Sequence, residues 1–464
     1  MADLLQFTGM LATDLSSFLR RPDQLLEAIN VHGDTVGILE SRRGYSQYGG
    51  TLSAGNSVKG LYTYCDVSGG SEYLYTFANG TIFYNPSTWQ SIVGSLLSDA
   101  NMEFAEFLDQ LFVCGANSSG SFLTTANIDS GVYSTSTNVS NAPKARYVEV
   151  YKDRVYLANC DGFPDRFYYS GLPDTAGTAI TWSSDDYERV YTNNGEEITG
   201  MHNNKVLNEL LFFKWSSMHA WDTYRLRDVA NIGTTAHRSI KTVNAVTFFF
   251  NQSGIYAYSG GYPQRISRII QKWIDAVTDP TAVFAEVEDG VIYKLYIGNV
   301  TVDGESFTNC EIRYSTIDNT FSIYSYYDTF TCYAQHTISN IGRVYGGTSD
   351  GVVHQFALKT DAVYEDDGQA IFSRFMFETD LGLPSARKSV DKVLIYSELA
   401  QNMAGRVRPR GGDWYSEFGI DTDEYETNIN HQDGRFLQFQ FTSASSVEPF
   451  RFLGLTINPH ITSG

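Results

Sequence analysis

The sequence predicts an all-β protein: a β-propeller of about six to eight blades followed by a small β-sandwich-like C-terminal domain. Three observations predict it. Short runs of Tyr, Phe, Val and Ile alternate with polar residues through residues 56–360 and are separated by Gly, Asn, Asp or Ser, the pattern of half-buried strands joined by turns. The runs recur in units of roughly 30–45 residues, the period of a blade. Aromatic residues make up 14% of the chain and charged residues only 19%. A blade buries both faces against its neighbours, and large flat side chains fill that space.

Residues 1–55 are expected to form an arm and hairpin that join the propeller. Pro22, followed by Gln24-Leu25-Leu26-Glu27-Ala28-Ile29, reads as one short helical turn. Ile29–His32 and Val36–Glu40, around Gly33-Asp34, read as a hairpin. Seven units follow: Val58–Ser91, Glu103–Tyr133, Ala145–Trp182, Ile198–Tyr224, Ser239–Ile266, Val283–Tyr327 and Cys332–Leu358. Each shows two or three clear strands. One helix interrupts at Arg268–Val277, where Ile270, Trp273, Ile274 and Val277 share a face. The polar stretch 359–370, with Lys359, Asp361, Glu365, Asp366, Asp367 and Gly368, marks a boundary. Residues 370–464 then carry longer strands at Ile371–Glu378, Lys392–Leu399, Ala404–Arg410, Phe436–Thr442 and Phe450–Ile457, as expected of a sandwich packed on the propeller.

The net charge is −20. A protein that grips nucleic acid neutralises phosphates with a basic surface, so DNA or RNA gripping is not expected. The five cysteines (65, 114, 160, 310 and 332) are widely spaced and form no C-x-x-C or Cys/His cluster. They read as buried small hydrophobes in a chain folded under reducing conditions. Met1–Asp14 is acidic and interrupted, unlike a signal peptide. The longest uncharged stretch, Thr242–Gln264, contains Asn, Gln, Ser, Gly and Pro and fails the requirement for a membrane helix. Neither export by the ordinary route nor membrane insertion is expected.

No catalytic, cofactor-binding or metal-ligating set emerges. The chain lacks a Gly-x-Ser-x-Gly elbow, a P-loop, His-Glu-x-x-His and the dinucleotide glycine fingerprint. His219 lies between Trp215 and Trp221, as an aromatic pocket or, more simply, as a packed strand histidine. The carboxylate pairs Asp185-Asp186, Glu196-Glu197 and Asp366-Asp367 are adjacent, and strand neighbours point to opposite faces. Asp421-x-Asp423-Glu424 resembles the start of a calcium loop but lacks its Gly and distal Glu. Gly69-Gly70, Gly260-Gly261 and Gly346-Gly347 read as turn residues. Arg406, Arg408 and Arg410 alternate on one strand face, giving a solvated or inter-subunit stripe or a phosphate contact.

Pro22, Leu25, Ala28, Asn30, Gly37, Leu39 and Arg43-Gly44-Tyr45 form an opening pattern. Asp153-Arg154-Val155-Tyr156 and Arg166-Phe167-Tyr168-Tyr169-Ser170-Gly171-Leu172-Pro173-Asp174 then lead to Trp182. Glu197-Ile198-Thr199-Gly200, Leu211-Phe212-Phe213-Lys214, His237-Arg238-Ser239-Ile240, Gly254-Ile255-Tyr256 and Asp380-Leu381-Gly382-Leu383-Pro384 with Lys388 complete the order. Taken together, this order resembles the propeller tail proteins of tailed bacteriophages, including the nozzle and packaged-DNA stabilisation proteins of short-tailed phages. The resemblance covers most of the chain and rests on strand and turn residues.

It implies a structural tail component with no enzymatic activity and no cofactor, in a six-fold or similar ring of copies around the DNA exit channel. It implies adaptor or tail-tube proteins as partners, with tail fibres as further ones, and location in the virion tail after assembly in the host cytoplasm. Genomic DNA would pass without specific binding. Acidic groups on the lumen wall would repel phosphates and let DNA slide. The alternative from the residues is a glycan-binding or glycan-cleaving propeller used in attachment, marked by convergent carboxylates at the propeller axis or exposed Tyr and Trp on one rim.

Overall fold

The computed structural model describes residues 3–463 except 8–10, 17–18, 53–55, 67–70, 95, 118, 123–125, 130–136, 139–140, 176–179, 192–194, 339–340, 383, 399–401 and 448. The protein is all-β. Seven four-stranded antiparallel units, here called sheets I to VII, follow one another along the chain; I to V are separate sheets, whereas VI and VII are the two ends of one 14-stranded sheet that runs between them through Leu25–Ile29 and Gln369–Thr379. Sheet I comprises Val58–Asp66, Ser71–Ala78, Thr81–Asn85 and Gln90–Val93. Sheets II, III, IV and V start at Asn101–Phe107, Ala145–Tyr151, Gly200–Asn204 and Lys241–Val243, and each is a simple up-and-down meander. Sheet VI comprises Phe284–Glu288, Ile292–Val302, Glu305–Ser315 and Thr320–Ser325. Sheet VII takes three strands from Phe330–Ile338, Ile341–Thr348 and Val353–Phe356. Its fourth, Tyr45–Gln47, comes from the N-terminal segment and pairs with Val353–Phe356. The seven units read from the sequence overlap these sheets, while Tyr45–Gln47, Tyr187–Arg189 and Leu226–Ala230 fall outside the units' bounds.

Tight turns set the register. At Asn79-Gly80 two successive residues have positive φ, 48° and 72°, the conformation whose twist matches that of a two-residue hairpin. Apolar clusters fill the gaps between successive sheets. Tyr64, Tyr75 and Phe77 of sheet I meet Met102, Leu111 and Val113 of sheet II. Further clusters join II to III, III to IV, IV to V and VI to VII, and a larger one contains residues of V and VI. The last joins VII back to I, through Cys332, Ala334 and Tyr345 against Val58, Leu61 and Leu74. Contact at this seam is close: a Cβ on Gly347 would fall 2.4 Å from Val58 Cγ1. Each large side chain removed from water contributes roughly 1.5–3 kcal/mol. The order of contacts closes on itself.

The C-terminal region is built from two sheets that share one core. One carries Gln369–Thr379, Leu437–Ser445, Met403–Pro409 and Phe418–Ile420, the other Arg387–Glu398, Arg451–Ser463 and Glu424–Gly434. Phe375, Phe377, Phe439, Phe441, Phe450 and Phe452 stack between them. The N-terminal segment joins this region as well as sheet VII. Leu25–Ile29 pairs with Gln369–Thr379, and Ile38–Ser41 pairs with Arg451–Ser463.

Several local expectations are corrected. Leu25–Ile29 is a strand, not a helical turn, because its apolar residues find a sheet edge on Gln369–Thr379 and tertiary pairing overrides a weak local preference. The hairpin turns at Val36-Gly37, where Gly37 has φ 77°, and not at Gly33-Asp34. The helix spans Gln271–Asp275 after a 3-10 turn at Ser267–Ile270, with Ile270, Trp273 and Ile274 buried as their spacing requires. Glu424–Gly434 is a full strand, missed because its alternating Tyr425, Thr427 and Ile429 are set among polar and charged residues. The stretch 359–370 is not a plain linker: Glu365–Asp366 pairs with Gln369–Ala370 and with Tyr45, and Asp366 is buried.

Candidate functional site

The first strands of the seven sheets surround a cavity of about 310 Å³. The charged residues among their lining are Glu103 and Glu106 from sheet II, Glu149 from III, His202 from IV and Lys241 from V. The 3-10 turn His237–Ser239, between sheets IV and V, crosses toward the opposite wall. It is held there by Tyr293, whose hydroxyl donates to the Ser239 carbonyl at 2.7 Å.

Arg238 ties the far wall together. Its guanidinium donates to the carbonyls of Lys59 (2.6 Å), Met102 (3.2 Å) and Thr331 (3.4 Å), which belong to sheets I, II and VII or their edges. Its Nε donates to Glu103 Oε1 at 3.2 Å. His237 Nε2 lies 3.5 Å from the other oxygen of Glu103. Lys241 Nζ donates to Glu286 at 2.9 Å. Most of the charge in the cavity is therefore compensated within its own wall.

The two central carboxyls are pushed in opposite directions. Burial raises Glu103, but His237 and Arg238 outweigh it and hold the group at about 2. Burial pushes Glu149 up to about 7, and the Asn203 backbone N–H and nearby lysines only partly oppose it. His202 Nδ1 is 3.7 Å from Glu149, yet burial lowers His202 to about 3, so it is neutral and gives no compensating charge. Two carboxyls separated in this way can hold and release one proton near neutral pH. Tyr62 and Phe104 stack at 5.7 Å on the same wall, an apolar platform beside the charged groups. A cavity of this size admits a small polar molecule and not a nucleic-acid duplex.

The other candidate residues fall elsewhere. His219 is a packed strand histidine: Nε2 lies 2.9 Å from Ser217 Oγ and Nδ1 2.8 Å from Asp228. No aromatic pocket forms around it, since Trp215 is exposed and Trp221 packs between sheets III and IV. The Ser217–His219–Asp228 alignment has the order of a nucleophile triad, but the serine is buried, Asp228 is 90% exposed at its side chain, and the axial cavity does not reach it. The adjacent carboxylates diverge: Glu196 accepts from Ser216, and Glu197 from Asn159. Asp421, Asp423 and Glu424 are exposed and form no cation-sized group among the described residues.

Arg406 and Arg408 stack on Trp414, at 4.5 and 4.2 Å, and donate to Gln440 and Gln438. Their stripe is thus filled by neighbours from its own region, while Arg410 lies 3.7 Å from Glu378. Gly346-Gly347 is inside a strand and not a turn, because Phe330 and Val58 leave no room for side chains there. Gly69-Gly70 lies outside the described residues. Cys114, Cys160, Cys310 and Cys332 are free and buried, and burial pushes the Cys310 thiol up to about 12; the Cys65 side chain lies outside the described residues.

The charged set around the cavity escaped the sequence reading because its members come from different sheets, about 40–50 residues apart along the chain. Only closure brings them together. The available signal was a carboxylate inside an otherwise mostly apolar first strand, as at Glu103 and Glu149.

No protein-family model matches the chain, and no curated protein matches it significantly in sequence.

Proposed function

We propose that the seven sheets form a seven-bladed β-propeller and that the protein is a structural component of a bacteriophage tail. In this reading copies assemble into a ring, a nozzle or a related part, around the DNA exit channel below the adaptor. They help retain the genome and then pass it. The observation that carries the reading is the closure. The last sheet borrows a strand from the N-terminal segment, and the axis is knotted by Arg238, which suits a rigid building block that bears load. The order of strand and turn motifs resembles tail propellers. The axial cavity is too small for a duplex, so DNA would run between copies and not along the propeller axis. A ring of six copies would carry six times the −20 of one chain, and acids on its lumen face would repel the phosphates.

Native mass spectrometry of the purified chain, alone and with adaptor or tail-tube proteins, tests this. A ring, formed alone or on the partner, is expected. A persistent monomer that ignores tail proteins and is retained by host-surface glycan would overturn it.

A second reading is favoured by one observation. Glu103 and Glu149 share a cavity with opposed ionisation beside the Tyr62–Phe104 platform, the equipment of a saccharide site. If that reading holds, Glu149→Gln abolishes glycan turnover while leaving the fold intact. Unchanged turnover, or none in the parent protein, removes it.

A further inference from the structure

We propose that Asp328, His354 and Asp367 form a site for a divalent cation of the zinc or manganese class that locks the closure of sheet VII. Their ligand atoms all lie within 4.8 Å of one another. They come from three segments: Asp328 from the link between sheets VI and VII, His354 from the strand Val353–Phe356, and Asp367 from the turn that opens the C-terminal region.

His354 is the second, independent observation. It is 3% exposed, and its imidazole makes no hydrogen bond among the described residues. Its Nε2 faces Asp328 Oδ2 at 3.6 Å. That is too long for a hydrogen bond. It is close to the spacing of two ligands on one tetrahedral ion, which with bonds of about 2.1 Å sit about 3.4 Å apart.

The surroundings orient the carboxylate. The Tyr45 hydroxyl donates to Asp328 Oδ2 at 2.8 Å, and the Asp328 backbone N–H donates to the Tyr45 oxygen at 3.0 Å. A hydrogen bond of this kind fixes a metal-ligating oxygen from outside the coordination sphere. Asp367 is exposed, which leaves water free to complete the coordination. One imidazole and two carboxylates suit a borderline transition cation; calcium favours six or more oxygens. Bound there, an ion would join the borrowed strand at Tyr45, sheet VII and the C-terminal region at one point. The sequence hid the set because its members are widely separated along the chain.

Isothermal titration of the full chain, stripped with EDTA, against Zn²⁺ tests the proposal, with Mn²⁺ and Ca²⁺ as comparators. One Zn²⁺ or Mn²⁺ per chain at micromolar affinity, with a rise of several degrees in Tm, is expected. Asp367→Asn keeps the turn and the fold, and is expected to weaken binding by about tenfold or more while leaving the metal-free Tm unchanged. No binding of Zn²⁺ or Mn²⁺ at millimolar concentration overturns the proposal, and so does undiminished binding by Asp367→Asn. His354→Gln supplies a second variant with the same expected loss.

Discussion

Arg42 shows how single residues hold distant parts together. All its N–H groups are used: Nε on Asn30, Nη1 on the Arg43 carbonyl and Asp366, Nη2 on the Ser325 carbonyl and Asp366. It also stacks 4.5 Å over Tyr326. Removing one member of such a buried pair leaves the other charged and unpaired, which costs about 3–5 kcal/mol. Arg42→Met should therefore lower unfolding free energy by that amount in urea titrations, and Arg42→Met with Asp366→Asn should recover part of it. An additive double mutant would refute the coupling. Glu149 carries the opposite sign. Its folded pKa of about 7 exceeds the model-peptide 4.5, so its favourable contribution is complete below pH 4.5 and is lost as pH rises through 7. Glu149→Gln should then stabilise the protein by about 1–3 kcal/mol at pH 8 and have little effect at pH 4.5. Glu103 is held low, so its contribution is present above pH 4.5 and is lost as pH falls through about 2. Glu103→Gln should destabilise at pH 7 and lose its effect near pH 2; equal destabilisation at both would show that His237 and Arg238 do not act through its charge.

At the scale of elements, the borrowed strand Tyr45–Gln47 decides whether sheet VII has an open edge. A chain lacking residues 1–50 loses it, together with the strands that complete the C-terminal sheets. Hydrogen exchange should then show Val353–Phe356 deprotected, and the exposed edge should drive self-association. Retained protection would mean that sheet VII is complete without the strand. Many middle strands were legible in the sequence as short apolar runs bounded by turn residues: Leu210-Leu211-Phe212-Phe213 and Gly254-Ile255-Tyr256-Ala257-Tyr258 fall inside strands Glu209–Phe213 and Gly254–Tyr258. The strand Leu25–Ile29 was not legible, because its partner lies more than 340 residues away in Gln369–Thr379 and nothing local announces it. Glu424–Gly434 was hidden by its polar composition. The axial cavity was illegible for a related reason. Its charges belong to separate sheets, and spacing along a chain does not say which sheet faces which.

For the whole molecule, burial sets the response to acid. His32, His202 and His336 are held neutral, with burial lowering them to about 4, 3 and 4. Their unfolded value is near 6.5, so the unfolded chain takes up protons first. The stability they support is complete above pH 6.5 and drains away as pH falls toward 4 and 3. Three such groups outweigh the opposite slope of Glu149, and Tm should drop steeply between pH 6.5 and 4. A flat Tm across that window would contradict the assignment of these rings as neutral. The closed order of contacts also bears on the proposed role: in the proposed propeller the outer strands would be left to meet neighbouring copies. A cryo-electron microscopy reconstruction of the protein assembled with its tail partners tests that account most directly. The account predicts copies of a seven-bladed domain set around an open lumen lined by acidic side chains, each with Arg238 closing its own axis. Isolated copies without a lumen, or a lumen wall that is neutral or basic, would contradict it.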